Sequence, residues 1–166
     1  QEKASHNSQK DFLLNKLSEL KAEHGNIEPR DVVLYGFGRI GRLAARELIK
    51  QAGKGQQLRL RAIVTRGNSD ADIIKRASLL RNDSVHGAFK GSVIADPENS
   101  AIVINGQKVQ MIGASNPEDI DYTAHGISNA LVIDNTGAFT NREALSRHLK
   151  SRGCLLYTSD AADEWI

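Results

Sequence analysis

The chain of 166 residues is 40% hydrophobic, which provides enough apolar side chain for one core of ordinary size. Its 22 basic and 20 acidic residues are interspersed and leave a net charge of +2, so the sequence lacks the single-sign field typical of proteins that bind nucleic acids or membrane surfaces. The sequence contains no apolar run of the roughly 18 residues needed to span a bilayer, and its single Cys154 cannot form an internal disulfide, so we expect a cytoplasmic protein without nucleic-acid or membrane partners.

The segment before residue 31 is predicted to be a helical extension. The chain does not begin with Met, and we interpret it as a fragment. Residues 1–10 are polar and aperiodic, whereas the pattern between Asp11 and Gly25 predicts an amphipathic helix with an apolar stripe of Phe12, Leu13, Leu17 and Leu20. A helix packed on the domain surface and a helix that binds a partner both fit this pattern. We assign residues 1–30 to an N-terminal helical extension.

The next stretch is predicted to run from a buried strand into a glycine-rich turn and a helix. Residues 32–35 are apolar or aromatic throughout, as in a parallel strand covered on both faces. Gly36 permits the tight turn, Gly38 lets the backbone approach a pyrophosphate, and Gly41 lets the helix pack closely on the strand. The stretch therefore predicts a dinucleotide site, with a glycine turn that binds nothing as the alternative; its residues are Gly36, Phe37, Gly38, Arg39, Ile40 and Gly41.

The helix after this turn is predicted from Arg39 to about Lys50. Its N-terminus offers free N–H groups and the positive end of its dipole to phosphates. The side chains expected to face a sheet are Ile40, Leu43, Ala44, Leu48 and Ile49.

The end of the second predicted strand, Leu58–Thr65, bears on the choice of cofactor. A dinucleotide fold usually carries Asp or Glu at this point to hold the ribose hydroxyls, but Arg66 follows the strand here. A guanidinium could accept a 2′-phosphate, whereas the alternative for Arg66 is a solvated loop position. We therefore predict NAD as the cofactor and keep NADP possible because of Arg66.

The remaining elements predict a sheet that is interrupted once. Asp70 is expected to cap a helix to about Leu80, whose inward side chains are Ile73, Ile74, Ala77, Leu79 and Leu80. Residues 92–95 and 101–104 read as strands, and Asn105-Gly106 predicts a hairpin that returns through Val109 to Ile112.

The last predicted unit is a strand and a helix. Ala130 to Asp134 form a buried parallel strand, and Asn141 caps a helix to about Lys150 with Ala144, Leu145 and Leu149 inward. The fold class is therefore α/β, a doubly wound (Rossmann-type), mostly parallel sheet with an inserted β-hairpin and a leading amphipathic helix.

Four stretches in this order resemble one family, the phosphorylating glyceraldehyde-3-phosphate dehydrogenases: residues 35–42, 82–91, 103–106 and 132–140. The resemblance covers residues 31–153, which we assign to one NAD(P)-binding Rossmann domain, and the leading helix resembles the N-terminal extension of a longer bacterial form. It implies that Arg39 and Ile40 give backbone contacts to the pyrophosphate, and that the adenosine side of the cleft is lined by Asn135, Thr136 and Gly137.

The resemblance also implies the activity of the full-length protein. Such an enzyme oxidises a phosphorylated aldehyde, transfers inorganic phosphate to the acyl group and forms a homo-oligomer. An enzyme similar to erythrose-4-phosphate dehydrogenase and a non-catalytic nucleotide-binding module remain the alternatives. The sequence departs from the family pattern at two positions on the adenosine side: Arg66 stands at or beside the ribose-binding Asp, and Ser115 stands where the family often has Arg.

We predict no catalytic residue and no metal site in this chain. The family's nucleophile lies in a Ser-Cys-Thr-Thr-Asn segment that is absent here, and its base histidine lies farther downstream, so the fragment is expected to be inactive. We interpret His86 as a loop-packing residue and exclude Cys154 as the nucleophile. Residues 154–166 depart from the family and resemble the translation of a sequencing adapter, which predicts a non-native tail whose first residues mimic the missing strand.

Overall fold

A computed structural model describes Leu13 and residues 29–52 and 58–159. The predicted N-terminal helix, apart from Leu13, and residues 160–166 of the predicted tail lie outside the described residues. The strands are β1 Arg30–Tyr35, β2 Leu58–Thr65, β3 Asn82–Asp83, β4 Gly87–Ala88, β5 Val93–Asp96, β6 Ala101–Ile104, β7 Gln107–Gly113, β8 Ala130–Asp134 and β9 Cys154–Ser159. The α-helices of the described ranges are α1 Arg39–Gln51, α2 Asp70–Arg81 and α3 Arg142–Ser146.

Seven strands form one sheet in the order β5-β6-β7-β2-β1-β8-β9. Strands β7, β2, β1, β8 and β9 run parallel to one another, and β6 runs antiparallel to both of its neighbours. The chain proceeds from β1 to β2 on one side and later places β8 on the other side of β1, so the winding reverses between β1 and β8. This topology confirms the predicted doubly wound, mostly parallel sheet with an inserted hairpin, and its switch point is where such sheets bind ligands.

The sheet is covered on both faces. Successive side chains of a strand point to opposite faces, so one strand can contribute to two cores. In β1, Val32 and Leu34 join a core with α1 and α2, whereas Val33 and Tyr35 join a second core with Tyr122. All four β1 side chains are buried, as the sequence predicts.

The hairpin between β6 and β7 follows directly from its turn residues. Asn105 and Gly106 have φ values of 49° and 80°, the left-handed geometry that a two-residue hairpin turn requires. The Asn105 side-chain oxygen also accepts a hydrogen bond from the Ser92 N–H at 2.9 Å, which ties the turn to the residue before β5.

Helix α2 differs from the prediction in its cap, and both α1 and α2 differ in which side chains are exposed. Ser69, rather than Asp70, caps α2, because its hydroxyl accepts the Asp72 N–H while the Asp72 carboxylate accepts the Ser69 N–H. The predicted inward positions of Ile40 and Ile74 are wrong, since these side chains are 49% and 54% exposed; Leu79 is exposed as well. The buried stripe of α2 is narrower than predicted and consists of Ile73, Ala77 and Leu80.

The predicted single helix after Asn141 is two consecutive segments. Asn141 caps α3 as expected, accepting the Ala144 N–H at 2.8 Å, but residues Arg147–Lys150 form a tighter 3₁₀ turn. Three residues per turn rotate the following side chains relative to an α-helix. His148 is therefore fully buried, and Leu149, predicted to face inward, is 51% exposed.

The first six residues of the predicted tail, which form β9, pair in parallel with β8 at the sheet edge. Leu155 and Leu156 are both partly exposed there. The non-native origin of residues 154–166 stays a prediction. In the part of the chain that the structure describes, no helix has the length and apolar character to cross a membrane.

Candidate functional site

The turn between β1 and α1 is held against both neighbouring strands. The Gly36 N–H donates to the Val64 carbonyl at 2.9 Å, and a Cβ at Gly36 would lie 2.8 Å from Thr136 Cγ2. Gly36 also has a φ of +95°, which L side chains rarely adopt. A Cβ at Gly41 would lie 2.5 Å from the Gly36 carbonyl oxygen, so α1 begins in contact with the turn. Both glycines therefore serve the close packing of strand, turn and helix.

The N-terminus of α1 is uncapped and open. Gly38 occupies the N-cap position, no side chain caps the helix, and the first turn carries no acidic residue. The first intrahelical hydrogen bond runs from the Arg42 N–H to the Gly38 carbonyl at 3.1 Å, which leaves the N–H groups of Arg39, Ile40 and Gly41 without an intrahelical acceptor. A Cβ at Gly38 would meet nothing within 4 Å. The three free N–H groups can therefore donate hydrogen bonds to an anion such as a phosphate.

The loop after β8 faces this helix end and is fixed by a buried carboxylate. Asp134 Oδ1 accepts hydrogen bonds from the Thr136 N–H at 2.8 Å and the Thr136 hydroxyl at 2.6 Å. Asp134 Oδ2 lies 2.9 Å from His148 Nε2, and both side chains are fully buried. The Asn135 N–H donates to the Tyr35 carbonyl at 2.7 Å, so the loop is also anchored to the end of β1.

Tyr35 packs beneath the same loop. Its ring meets the His148 ring edge to face, with centroids 4.8 Å apart, and the Phe139 ring lies near both, 5.7 Å from His148 and 6.1 Å from Tyr35. Burial, followed by the nearby Asp134 carboxylate, raises the pKa of Tyr35 to about 12. The phenol therefore stays neutral at physiological pH.

A cleft of about 410 Å³ opens between the glycine turn and the β8 loop. Its base is apolar and formed by the ends of β1 and β2 with Phe37, and its charged side chains are Arg66 and Arg76. Of the described residues, the lining set is Tyr35, Gly36, Phe37, Gly38, Val64, Thr65, Arg66, Arg76, Ala114, Ser115, Thr136, Ala138 and Phe139. An apolar base, an open helix N-terminus and cationic side chains fit a molecule that carries a ring system and phosphates.

The structure brings only part of the predicted site into the cleft wall. The predicted residues that line it are Gly36, Phe37, Gly38, Arg66 and Thr136. The other five predicted residues are not among those that line it: Arg39, Ile40, Gly41, Asn135 and Gly137. Ser115, which the family resemblance places on the adenosine side, lines the same cleft as Arg66.

The sequence prediction missed three residues of the site. Arg76 projects from the middle of α2, and no local pattern distinguishes it from a solvated helix arginine. Asp134 and His148 are 14 residues apart and meet only because α3 and its 3₁₀ turn fold back onto β8. The polar residue at the end of an otherwise apolar strand was the one available signal for Asp134.

His86 and Cys154 lie away from the cleft wall. His86 Nδ1 is 3.1 Å from Asp83 Oδ1, and the N–H groups of Val85 and His86 both donate to that same oxygen. Cys154 lies on β9, where burial raises the pKa of its thiol to about 11. A protonated thiol is a poor nucleophile at neutral pH.

Comparison with protein families and curated proteins agrees with this geometry. Residues 30–142 match the model described as glyceraldehyde 3-phosphate dehydrogenase, NAD binding domain. A glyceraldehyde-3-phosphate dehydrogenase-like protein of Pseudomonas aeruginosa (strain UCBPP-PA14) is 52% identical over 145 residues, which cover 86% of this chain and 32% of that protein.

More distant relatives carry the same family name. Glyceraldehyde-3-phosphate dehydrogenase 2 of Drosophila pseudoobscura pseudoobscura is 36% identical over 70% of this chain, and the glyceraldehyde-3-phosphate dehydrogenase of Zymomonas mobilis is 36% identical over 71%. The chain spans 32% of the length of each of these relatives. From the family match, the fold and the glycine turn together, we conclude that the chain belongs to the glyceraldehyde-3-phosphate dehydrogenase family and contains its NAD-binding domain.

Proposed function

We propose that this chain supplies the cofactor-binding part of a phosphorylating glyceraldehyde-3-phosphate dehydrogenase. The observation that carries the proposal is the uncapped N-terminus of α1, which opens beside the cleft with free space above Gly38. The whole enzyme would oxidise a phosphorylated aldehyde and use inorganic phosphate to form an acyl phosphate, as a homo-oligomer.

In this proposal each wall of the cleft has one task. The N–H groups of Arg39 and Ile40 bind the pyrophosphate, because they are unpaired and lie at the positive end of the helix dipole. The β8 loop of Asn135, Thr136 and Gly137, of which Thr136 lines the cleft, would hold the adenosine half opposite the glycine turn. A bound dinucleotide would supply the hydride acceptor, and the residues described here would bind and orient it.

We also propose that residues 1–166 bind the cofactor without catalysing a reaction. Cys154 supports this view, because a thiol with a pKa of about 11 is almost wholly protonated at neutral pH. The test is to mix the purified chain with glyceraldehyde 3-phosphate, inorganic phosphate and NAD or NADP and to follow absorbance at the wavelength of the reduced nicotinamide. Measurable turnover by the purified chain would overturn the proposed inactivity, and its loss in a Cys154→Ser variant would assign that turnover to Cys154.

We further propose that the cleft accepts NADP as well as NAD. Arg66 supports this, since it follows β2 where a carboxylate would repel a 2′-phosphate, and its guanidinium can instead donate to one. Calorimetric titration with NAD and NADP should show that Arg66→Asp shifts preference towards NAD, by about tenfold or more. Arg30→Asp, an exposed substitution at the opposite end of β1, is the matched control. Equal cofactor preference before and after Arg66→Asp would remove Arg66 from the site.

A further inference from the structure

The side chain of Arg76 makes no hydrogen bond and no ion pair with another described residue. Its Nε atom is buried and has no hydrogen-bond partner. Other arginines that reach into the domain are paired with a carboxylate or a carbonyl: Arg42 with Asp83, Arg46 with Leu80 and Gly87, Arg81 with Val93, and Arg147 with Glu118. A buried, unpaired donor costs free energy, so it calls for an external partner.

The nearest carboxylate along α2 is committed elsewhere. Asp72 lies one turn before Arg76, close enough for the Arg76 charge to contribute to lowering the pKa of Asp72, but its largest contacts are hydrogen bonds with Ser69. Asp72 Oδ2 accepts the Ser69 hydroxyl at 2.7 Å and the Ser69 N–H at 3.3 Å. The capping box therefore holds this carboxylate at the start of α2 and leaves the Arg76 guanidinium to the cleft.

Arg76 shares the cleft with a second cation and no anion. Arg66, at the end of β2, and Arg76, on the helix that follows, line the same space together with Ser115. No Asp or Glu is among the described residues that line it. Two guanidinium groups without a carboxylate between them repel each other. A doubly charged anion would relieve this repulsion because it can accept hydrogen bonds from both groups.

We propose that Arg76 and Arg66 together form a two-arginine site for the 2′-phosphate of NADP, with Arg76 as a specificity-determining residue contributed by α2. The inference rests on the proposed dinucleotide function. It adds Arg76 as a second cationic residue and names the 2′-phosphate as the group that the two arginines bind. The pyrophosphate has its own donors at the N-terminus of α1, so the cleft has two separate anion positions. Arg76 discriminates the phosphorylated ribose from the unphosphorylated one.

The test compares two ligands that differ only in the group concerned, adenosine 2′,5′-bisphosphate and adenosine 5′-monophosphate. Their dissociation constants are measured by calorimetry for the parent chain and for the variants Arg76→Leu, Arg76→Lys and Arg66→Leu. Lys75→Leu is the matched control, because it removes one positive charge from the exposed neighbouring position of the same helix. Circular dichroism establishes that each variant is folded.

We expect the parent to prefer the bisphosphate, and Arg76→Leu to lower this preference about ten- to hundredfold, the size typical of a lost charge-assisted hydrogen bond. Arg76→Lys should retain part of the preference, since it keeps a point charge without the planar fork, and Lys75→Leu should leave it unchanged. If Arg76→Leu does not fold, an unchanged preference in Arg76→Lys overturns the inference.

The failures of the two proposals are distinguishable. If Arg66→Leu lowers the preference and Arg76→Leu does not, the inference about Arg76 is wrong while the proposed function stands. If Arg76→Leu weakens both ligands equally, Arg76 reads the 5′-phosphate and the inference is also wrong. If the parent binds neither ligand and neither dinucleotide, the proposed function itself fails.

Discussion

Asp134 and His148 form a buried pair beneath the cofactor cleft, with Asp134 Oδ2 at 2.9 Å from His148 Nε2. The other carboxylate oxygen holds both the N–H and the hydroxyl of Thr136, whose methyl group packs against the glycine turn. One buried side chain thus links the 3₁₀ turn, the β8 loop and the start of α1. The geometry of the cleft wall depends on this carboxylate.

Replacing Asp134 should therefore cost stability and cofactor affinity together. Asp134→Ala leaves Thr136 and the His148 ring without their buried partner, and we expect the free energy of unfolding to fall by about 3 kcal/mol. Asp134→Asn keeps the shape and the acceptor for Thr136 and should cost less. Urea unfolding measures the stability, and titration with NAD measures the affinity. Parent-like stability of the alanine variant would contradict the linking role of Asp134.

Two glycines of the turn should respond in opposite ways to the same methyl group. At Gly38 a Cβ meets nothing within 4 Å, so Gly38→Ala should leave the free energy of unfolding within about 0.5 kcal/mol of the parent. The same methyl stands in the approach to the N-terminus of α1, and NAD affinity should fall at least tenfold if the pyrophosphate binds there.

At Gly41 a Cβ would lie 2.5 Å from the Gly36 carbonyl oxygen, and this backbone contact cannot be relieved by rotating a side chain. Gly41→Ala should therefore destabilise the domain by about 1–3 kcal/mol, as measured in urea. The comparison fails if Gly38→Ala is the destabilising substitution or if Gly41→Ala is neutral.

The contribution of Asp83 to stability should disappear at acid pH. Hydrogen bonds from the N–H groups of His86 and Val85 are the main reason that the pKa of Asp83 lies well below its usual value of 3.8, and the hydrogen bond to the His86 ring adds to the effect. Because the folded-state pKa is the lower one, this stabilisation is present above about pH 4 and is lost as the pH falls further.

Thermal unfolding of the parent and Asp83→Asn should therefore differ by a few degrees in Tm at pH 7. The difference should shrink steadily below about pH 4. Asp70→Asn, which removes an exposed carboxylate at the start of α2, is the control. A difference in Tm that stays constant down to pH 3 would contradict the role of the Asp83 charge.

Cys154 should react slowly with alkylating reagents in the folded protein. Burial raises its thiol pKa from 9.0 to about 11, so near pH 8 the folded chain holds about a hundredfold less thiolate than the unfolded chain. Mass spectrometry after timed exposure to iodoacetamide, with and without urea, measures the two rates. Cys154→Ser gives the blank. A pH–rate profile of the folded protein with its midpoint near 9 would show that the thiol is exposed.

Features that depend on neighbours in sequence were predictable. The buried strand β1, the glycine turn and the start of α1 follow from twelve consecutive residues, and the hairpin turn follows from Asn105 and Gly106. Cofactor class could be read from the same stretch, since a dinucleotide site of this kind is built from one strand, one turn and one helix end. The family resemblance then extended this reading to the loop after β8.

Features that depend on how the elements pack were not predictable. The periodicity of residues 141–150 did not reveal the change to a 3₁₀ turn, so Leu149 was expected in the core where His148 lies. Ile40 and Ile74 fit the apolar periodicity of their helices, but about half of each side chain is exposed to solvent. Hydrophobic periodicity gives a direction around a helix axis and does not give the width of the surface that will cover it.

The sequence by itself therefore determined the fold class and the position of the glycine turn, because both are encoded in local spacing, and the resemblance of four stretches to a known family indicated the family. Tertiary structure alone decided which distant side chains meet in the cleft and beneath it. The packing of α2 beside the sheet brings Arg76 to Arg66, and the 3₁₀ turn after α3 brings His148 to Asp134. These contacts depend on the rotation and placement of whole elements, which are set by the summed packing of two cores rather than by any one stretch of the chain.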